Sequence, residues 1–151
     1  MKLTDHLSLP LVKVPLAATE KRQAITELVN IIAEQSLTER RDQLLDAVLE
    51  REAQRTTGIG RGFAIPHAKC DAVDHLIIAF GRAANPIDFA AVDGQPVTLI
   101  ALLASPANAT SSHIQALARL SRLVTNASVM EQLLAAPDAG TFFQIIQDNE
   151  S

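Results

Sequence analysis

The stretch TTGIGRGFAIPHAK, residues 56–69, places three glycines on alternate positions ahead of a short apolar run and a Pro-His pair. Glycine adopts backbone angles that other residues avoid, so a loop over residues 58–62 can fold its own amides around an anion. The apolar run over residues 63–65 is suited to a short strand. His67 lies just beyond it, where a rigid scaffold can present a reactive side chain. The stretch therefore predicts chemistry on an anion, carried out by an imidazole.

The composition is that of a globular protein that does not bind nucleic acid. Its 151 residues suffice for one domain with a core, and 48% of them are hydrophobic and 20% charged. Trp and Tyr are absent and the formal net charge is -4. Such a chain has few side chains on which bases could stack and no overall basic field to attract a phosphate backbone.

Cysteine usage and hydropathy favour a cytoplasmic location. Cys70 has no second cysteine to pair with, which is typical of a reducing compartment. The first residues lack the basic start and apolar core of a signal peptide. The apolar run over residues 97–104 is far shorter than the roughly 20 residues of a membrane helix. We therefore expect no membrane insertion.

Hydrophobic periodicity predicts helices before the glycine-rich stretch and after the central strands. An edge strand is expected over 12–16, followed by a helix over 19–34 that Thr19 caps and by a second helix from Thr38. Buried strands are expected over 76–81 and 97–103, with an irregular connection or short strand over 85–89. Further helices are expected over 111–125, 128–135 and 141–147. The expected buried positions are Ile25, Leu28, Val29, Ile32, Leu44, Leu45, Val48 and Leu49 in the first two helices, and Ile114, Leu117, Ala118, Ser121, Leu123 and Val124 in the third.

This order of elements predicts one α/β domain over residues 1–151, with its core at about 3–147. Helices are expected to cover both faces of a mixed β-sheet. No internal repeat or linker divides the chain.

Cations are available for a phosphoryl group on His67, which would carry close to two negative charges. Arg51, Arg55, Arg61 and Lys69 lie near it in sequence, and the planar fork of arginine matches phosphate oxygens. His113 begins the helix after the last strong strand. Because sites collect at the carboxyl ends of central strands, His113 could approach His67 and donate a hydrogen bond to the phosphoryl group.

Other interpretations of the same residues are weaker or stay open. The glycine spacing and the strand that follows do not fit a dinucleotide fingerprint, a Walker loop or a nucleophile elbow. A zinc site from His67, Cys70, His75 and His113 lacks paired ligand spacing. The Pro-His pair could also be a structural turn, and the glycines could only shape a tight loop.

The residues from Arg51-Glu52 through Thr57-Gly58-Ile59-Gly60, Gly62 and Ala64-Ile65-Pro66-His67 resemble the fructose/mannitol-type enzyme IIA domains of the phosphoenolpyruvate-dependent phosphotransferase system. That family includes the nitrogen-type enzyme IIA. The similarity continues through residues 86–89, residues 93–97 and the helix after His113, and it covers residues 3–146. Thr57 stands where serine is more usual, and Gln115 stands where nitrogen-type proteins carry a further histidine.

The resemblance implies a histidine phosphocarrier, a phosphotransferase component and not a free-standing turnover enzyme. It implies that His67 accepts phosphate on Nε2 from HPr or a paralogue, that Arg51 helps to hold the phosphate, and that His113 is the neighbouring histidine. The loop amides of Thr57, Gly58, Gly60 and Gly62 are expected to cradle the phosphate. No metal or organic cofactor is expected. The implied fold is shared with cytoplasmic domains of some anion transporters.

The destination of the phosphate has three interpretations. Without enzyme IIB, HPr or permease segments in the sequence, we favour a nitrogen-type regulatory role through protein targets. Alternatively, the chain is a sugar-specific enzyme IIA that passes phosphate to an enzyme IIB, or a binding module of the same fold that carries no phosphate. The sequence does not define the oligomeric state.

Overall fold

One mixed β-sheet runs through the molecule in the computed structural model, which describes residues 1–150. Strand β6 lies inside the sheet, antiparallel to β5 and parallel to β3 and β4. Strand β1 forms one edge beside β5, and β2 forms the other edge beside β3. Within the described residues the strands are β1 Val12–Leu16, β2 Gly58–Gly60, β3 Phe63–Ala64, β4 His67–Lys69, β5 Ile77–Ile87 and β6 Val97–Ser105.

Two groups of helices cover this sheet. Helices α1 and α2 pack on each other and contact β5 and β4. Helix α4 packs against both α3 and α5, and α3 contacts β6 while α5 contacts β1. The mixed sheet between helices confirms the predicted α/β class. Within residues 1–150 the α-helices are α1 Lys21–Glu34, α2 Arg41–Gln54, α3 Thr110–Thr125, α4 Ala127–Ala135 and α5 Ala139–Asn149, and two 3₁₀ turns cover Leu3–Asp5 and Leu9–Leu11.

Phe80 of β5 joins the sheet to its neighbours in the core. Its ring lies 5.9 Å from that of Phe63 and 5.2 Å from that of Phe142 in α5, measured between centroids. All three side chains are fully buried. Aliphatic residues complete the core, and the predicted buried stripe of α1 faces it as expected. Aromatic offset and edge contacts of this kind add to the free energy of burial.

The first two helices begin later than the sequence predicts. Glu20, not Thr19, occupies the N-cap position of α1, and the hydroxyl of Thr19 instead bonds Gln23. Thr38 precedes α2 altogether, because its buried hydroxyl donates to the carbonyl of Ala72 at 2.5 Å. That long-range bond fixes Thr38 in the connection between the helices.

The predicted buried face of α3 is wrong in part. Ile114 is 60% exposed and Ala118 is exposed, while Leu117 is half-buried. The buried face consists instead of His113, Ala116, Leu120, Leu123 and Val124. Because His113 is buried, the buried face of α3 is displaced by one residue from the face that the apolar residues predict.

The ends of the described chain lie against each other. The backbone N–H of Thr4 donates to Oε2 of Glu150 at 3.0 Å, and the Thr4 hydroxyl donates to Oε1 at 2.5 Å. Among residues 1–150, no helix has both the length and the hydrophobicity that crossing a membrane requires.

Candidate active site

His67 begins β4, opposite Leu103 of the buried strand β6. Its Nδ1 lies 2.7 Å from the carbonyl oxygen of Ile65. Because a carbonyl only accepts, Nδ1 must carry the proton, and Nε2 is the nitrogen with a free lone pair in the neutral ring. Burial is the main cause that lowers the pKa of His67 below 6.5, which favours this neutral form. The local fold thus selects the neutral tautomer whose lone pair is on Nε2.

His113 lies directly beside His67, in the first turn of α3. The ring centroids are 5.3 Å apart and the planes meet at 62°. Strand β6 ends at Ser105, whose hydroxyl is hydrogen-bonded to Nδ1 of His113 at 2.6 Å. Burial, followed by the charges of His67 and Lys69, lowers the pKa of His113 to about 4. Both histidines are therefore neutral near pH 7.

Arg51 lies in the last turn of α2 and lines the same cleft as the two histidines. Its Nη1 donates to the carbonyl of Arg55 at 3.0 Å, which holds the guanidinium at the end of the helix. Lys69 also lines this cleft, an open space of about 410 Å³. The predicted triad of His67, Arg51 and His113 is thus brought together, with a second cation beside it.

The glycines are placed differently from the histidines. Strands β2 and β3 form an antiparallel hairpin whose tip is Arg61 and Gly62. The carbonyl of Gly62 accepts from the amides of Thr98 and Leu99, near the start of β6. Since Phe63 pairs with Leu99 and His67 with Leu103, this tip lies about 13 Å back along the strand from His67.

Gly60 and Gly62 therefore lie in the hairpin, and neither lines the cleft that contains His67. The backbone amide of Arg61, between them, donates to Asp93 at 3.0 Å. Gly58 packs tightly against Ala91 in the same region, where a Cβ would lie 2.8 Å from the Ala91 Cβ. These glycines let the hairpin turn and pack. Of the predicted loop residues, Thr57 is the one linked to the site, since its carbonyl accepts from the amide of Ile65 at 3.0 Å.

Sequence reasoning missed four polar residues of this site. Ser105 is the hydrogen-bond partner of His113, Glu52 is the partner of Thr57, and Glu50 and Gln54 line the cleft. Ser105 could have been found as a polar residue that ends an apolar strand. Glu52 could have been found because it is next to Arg51. In the part of the chain that the structure describes, no group of three or more His, Cys, Asp or Glu side chains is placed to hold a metal ion.

Chemically, the cleft combines a neutral imidazole with two nearby cations. A free Nε2 can attack an electrophilic centre such as phosphorus, and Arg51 and Lys69 can offset the charge of the group transferred. The fold and this geometry define a class: a small α/β domain with a histidine-centred cleft for an anionic group.

The particular family follows from comparison with known proteins. The family model described as "Phosphoenolpyruvate-dependent sugar phosphotransferase system, EIIA 2" matches residues 5–149, and the chain belongs to this family. It is therefore an enzyme IIA-type phosphocarrier, a phosphotransfer component of that system. The resemblance inferred from the glycine and histidine motifs is confirmed.

Relatives of both functional types align with the chain. It is 40% identical over 128 residues to the fructose-specific EIIA component of Haloferax volcanii, covering 85% of this chain and 83% of that protein. It is 35% identical over 147 residues to the nitrogen regulatory protein of Bradyrhizobium diazoefficiens, covering 97% of this chain and 95% of that protein. The fructose-specific EIIABC component of Bacillus subtilis is 36% identical over 99% of this chain, which spans only 24% of that longer protein.

Solved structures agree with the fold. The nitrogen regulatory protein IIA-Ntr from Neisseria meningitidis superposes with a TM-score of 0.87 at 29% identity, covering 94% of this chain and 97% of that one. The Escherichia coli mannitol enzyme IIA, solved in complex with phosphorylated mannitol enzyme IIB, gives a TM-score of 0.80 at 20% identity. The match covers 94% of this chain and 99% of that one.

Proposed function

We propose that His67 is the residue that carries the phosphoryl group, on Nε2. The observation that supports this most directly is the 2.7 Å bond from Nδ1–H to the carbonyl of Ile65. Nδ1 is occupied by that bond, while Nε2 keeps its lone pair in a cleft that also contains Arg51 and His113. A phosphate acceptor needs a neutral, oriented nitrogen with cations at hand, and His67 meets both conditions.

The reaction is an in-line transfer between two imidazoles. Nε2 of His67 forms a bond to phosphorus as the P–N bond of the donor's phosphohistidine breaks, and the electron pair of that bond returns to the donor ring. Positive charge develops on the ring of His67 as Nε2 gives up its lone pair. The Ile65 carbonyl, which accepts from Nδ1–H, stabilises that charge. No proton has to leave His67 for the bond to form.

Arg51 and His113 bind the transferred group. The guanidinium fork of Arg51 matches two phosphoryl oxygens, and its bond to the Arg55 carbonyl leaves other N–H donors free. If the Ser105 hydroxyl donates to Nδ1 of His113, the proton of that ring lies on Nε2, where it can donate to a phosphoryl oxygen. Lys69 contributes charge at the rim. The proposal assigns the phosphoryl group to these side chains because neither Gly60 nor Gly62 lines the cleft.

The phosphate donor is an HPr-type phosphocarrier protein. The chain acts in the cytoplasm as one domain with its core at about 3–147.

For the destination of the phosphate, we favour a regulatory role of the nitrogen type. The likeness to the Neisseria protein and the near full-length alignment with the Bradyrhizobium protein support this. Regulation would then act through protein targets that distinguish the phosphorylated form, because phosphate adds charge at the cleft.

A second candidate is sugar uptake, favoured by the 40% identity to the fructose-specific component. In that case an enzyme IIB would remove the phosphoryl group from His67, as the mannitol complex suggests for its own pair.

The deciding experiment is phosphorylation by phosphoenolpyruvate, enzyme I and HPr, followed by mass measurement of the intact chain. We expect a gain of one acid-labile phosphate in the wild type and none in His67→Gln, with His75→Gln as the matched control on an exposed histidine. Phosphate on the His67→Gln chain would contradict the assignment of the acceptor.

A second experiment separates the two roles. The phosphorylated chain is incubated with fructose-type and mannitol-type enzymes IIB, and rapid loss of phosphate to either one supports sugar uptake.

A further inference from the structure

Glu52 is a buried carboxylate that directly follows the cleft residue Arg51 in α2. It is 6% exposed. Its Oε2 accepts from the backbone N–H of Thr57 at 2.6 Å, and its Oε1 accepts from the hydroxyl of Thr57. Nζ of Lys21 lies 3.4 Å from Oε2 and supplies the opposite charge. A buried carboxylate with this many partners is held in one position.

Thr57 connects this carboxylate to the candidate phosphate acceptor. The carbonyl of Thr57 accepts from the amide of Ile65 at 3.0 Å. The carbonyl of Ile65 in turn accepts from Nδ1–H of His67 at 2.7 Å. One backbone hydrogen bond and the bond from Nδ1–H to the Ile65 carbonyl therefore connect the Glu52–Thr57 pair to the imidazole.

We propose that Glu52 is a positioning residue for His67, and that its charge also stabilises the imidazole as the ring becomes positive during phosphoryl transfer. This proposal rests on the proposed function of His67. Glu52 touches neither the phosphoryl group nor the ring. It acts by fixing the segment whose carbonyl orients Nδ1, and through its negative charge.

The charges around His67 explain why such a carboxylate is needed. Glu50, Arg51, Lys69 and His113 line the same cleft as the ring, and the charge of Arg51 opposes positive charge on it. Burial and Arg51 lower the pKa of His67, whereas the Ile65 carbonyl and Glu52 raise it. Cations bind the phosphoryl oxygens well but disfavour a positive imidazole, and a carboxylate placed behind the segment offsets that effect.

Lys21 balances this carboxylate from the side of α1. Its ammonium also lies 5.3 Å from the ring centroid of Phe89 and 3.4 Å from the Phe89 carbonyl. A paired carboxylate remains ionised when buried, which an isolated one would not. Lys21 therefore maintains the charge of Glu52.

The test is Glu52→Gln. A glutamine can accept from the Thr57 N–H and donate to the Thr57 hydroxyl, so both bonds survive while the charge is lost. We expect the pKa of His67, measured by ¹⁵N NMR titration, to fall, and the rate of phosphorylation by phospho-HPr to fall about tenfold. Asp46→Asn, which removes an exposed carboxylate from the same helix, is the matched control and should change neither quantity.

An unchanged pKa of His67 and an unchanged rate in Glu52→Gln would overturn the proposal. The titration needs no phosphate, so it tests Glu52 even if the wild type gains none, an outcome that would instead reject the proposed function. Should Glu52→Gln fail to fold, Lys21→Met provides a second test. It removes the cation that keeps the buried carboxylate charged, so the pKa of His67 should fall as in Glu52→Gln, and a rise or an unchanged value would contradict the proposal.

Discussion

At the scale of single residues, the two histidines are neutral for related reasons and are suited to different tasks. The Ile65 carbonyl leaves Nε2 of His67 free to act as a nucleophile. Ser105 binds Nδ1 of His113, so the other nitrogen of that ring is the one available to a ligand. In both rings Nδ1 is bound and Nε2 is available, but a carbonyl partner can only accept whereas a hydroxyl partner can donate, which is the basis for the different roles proposed for the two side chains.

Protonation of His113 should cost folding stability. Its pKa is about 4 in the folded chain against 6.5 as the ordinary value. Between those two pH values the unfolded chain binds a proton that the folded chain excludes, so stability falls as the pH falls. The loss reaches about 3 kcal/mol once both states are protonated. In His113→Gln, urea unfolding followed from pH 7 to pH 4 should lose correspondingly less stability than in the wild type. An equal loss in both chains would contradict this, and His75→Gln is the control.

Arg51 should not be replaceable by lysine. Arg51→Lys keeps the charge but loses the planar fork and the bond to the Arg55 carbonyl. We expect phosphorylation by phospho-HPr to slow by about 10-fold to 100-fold, with the thermal midpoint little changed. Arg122→Lys, at an exposed position in the last turn of α3, is the matched control. If Arg51→Lys reacts as fast as the wild type, the fork has no part in binding the phosphoryl group.

At the scale of elements, strand β1 packs against β5 at a glycine. Gly81 of β5 lies against Leu16, whose side-chain atoms come within 2.8 Å of the position a Cβ would take. Leu16 is fully buried, so it has little room to move. The close approach of β1 to β5 therefore depends on the missing side chain.

Gly81→Ala should destabilise the fold by about 1–3 kcal/mol, because the added methyl group overpacks this contact. Gly140→Ala is the matched control. The nearest atom there is 3.6 Å away and the position lies in α5, where alanine is the better helix former. Urea denaturation should rank Gly81→Ala clearly below the wild type and Gly140→Ala at or slightly above it. Equal stability of the two variants would show that β1 can shift without cost.

The elements that could be predicted are those with a strong local pattern. The run that became β6 and the stripe of α1 over Ile25 and Ile32 depend only on nearby residues. Thr38 could not be placed because its partner Ala72 lies far along the chain. The α3 face could not be predicted because a polar residue, His113, is buried on it through its bond to Ser105, which an apolar pattern does not show. The glycine spacing predicts an anion loop, whereas residues 58–64 form a hairpin. Its pairing with the start of β6 is a long-range contact, and spacing alone cannot reveal it.

At the scale of the whole molecule, a small number of aromatic rings connect the sheet to the helices in the core. Phe142 of α5 is fully buried and packs against Phe80 of the sheet. Phe142→Ala should cost about 3–5 kcal/mol, the usual range for truncating a buried phenylalanine. Phe143→Ala, at the half-buried neighbouring position, should cost less and serves as the control.

Circular dichroism and hydrogen exchange together can follow this change in a chain without Trp or Tyr. If α5 is an integral part of the cooperative fold, its amides and those of β6 should lose protection together in Phe142→Ala. Loss of protection confined to α5 would instead mark that helix as a separately opening unit.

The hydrogen bonds between Thr4 and Glu150 have a consequence for covalent architecture. A polypeptide that enters this unit at one end leaves it at nearly the same point on the surface. If the domain is inserted into a loop of a larger protein, the two ends of that loop need to be separated only slightly. The insertion therefore adds little to the entropy cost of closing the loop. The same proximity would let a brief linker join residues 4 and 150 while new termini are opened at an exposed turn elsewhere, giving a circular permutant with the same cleft.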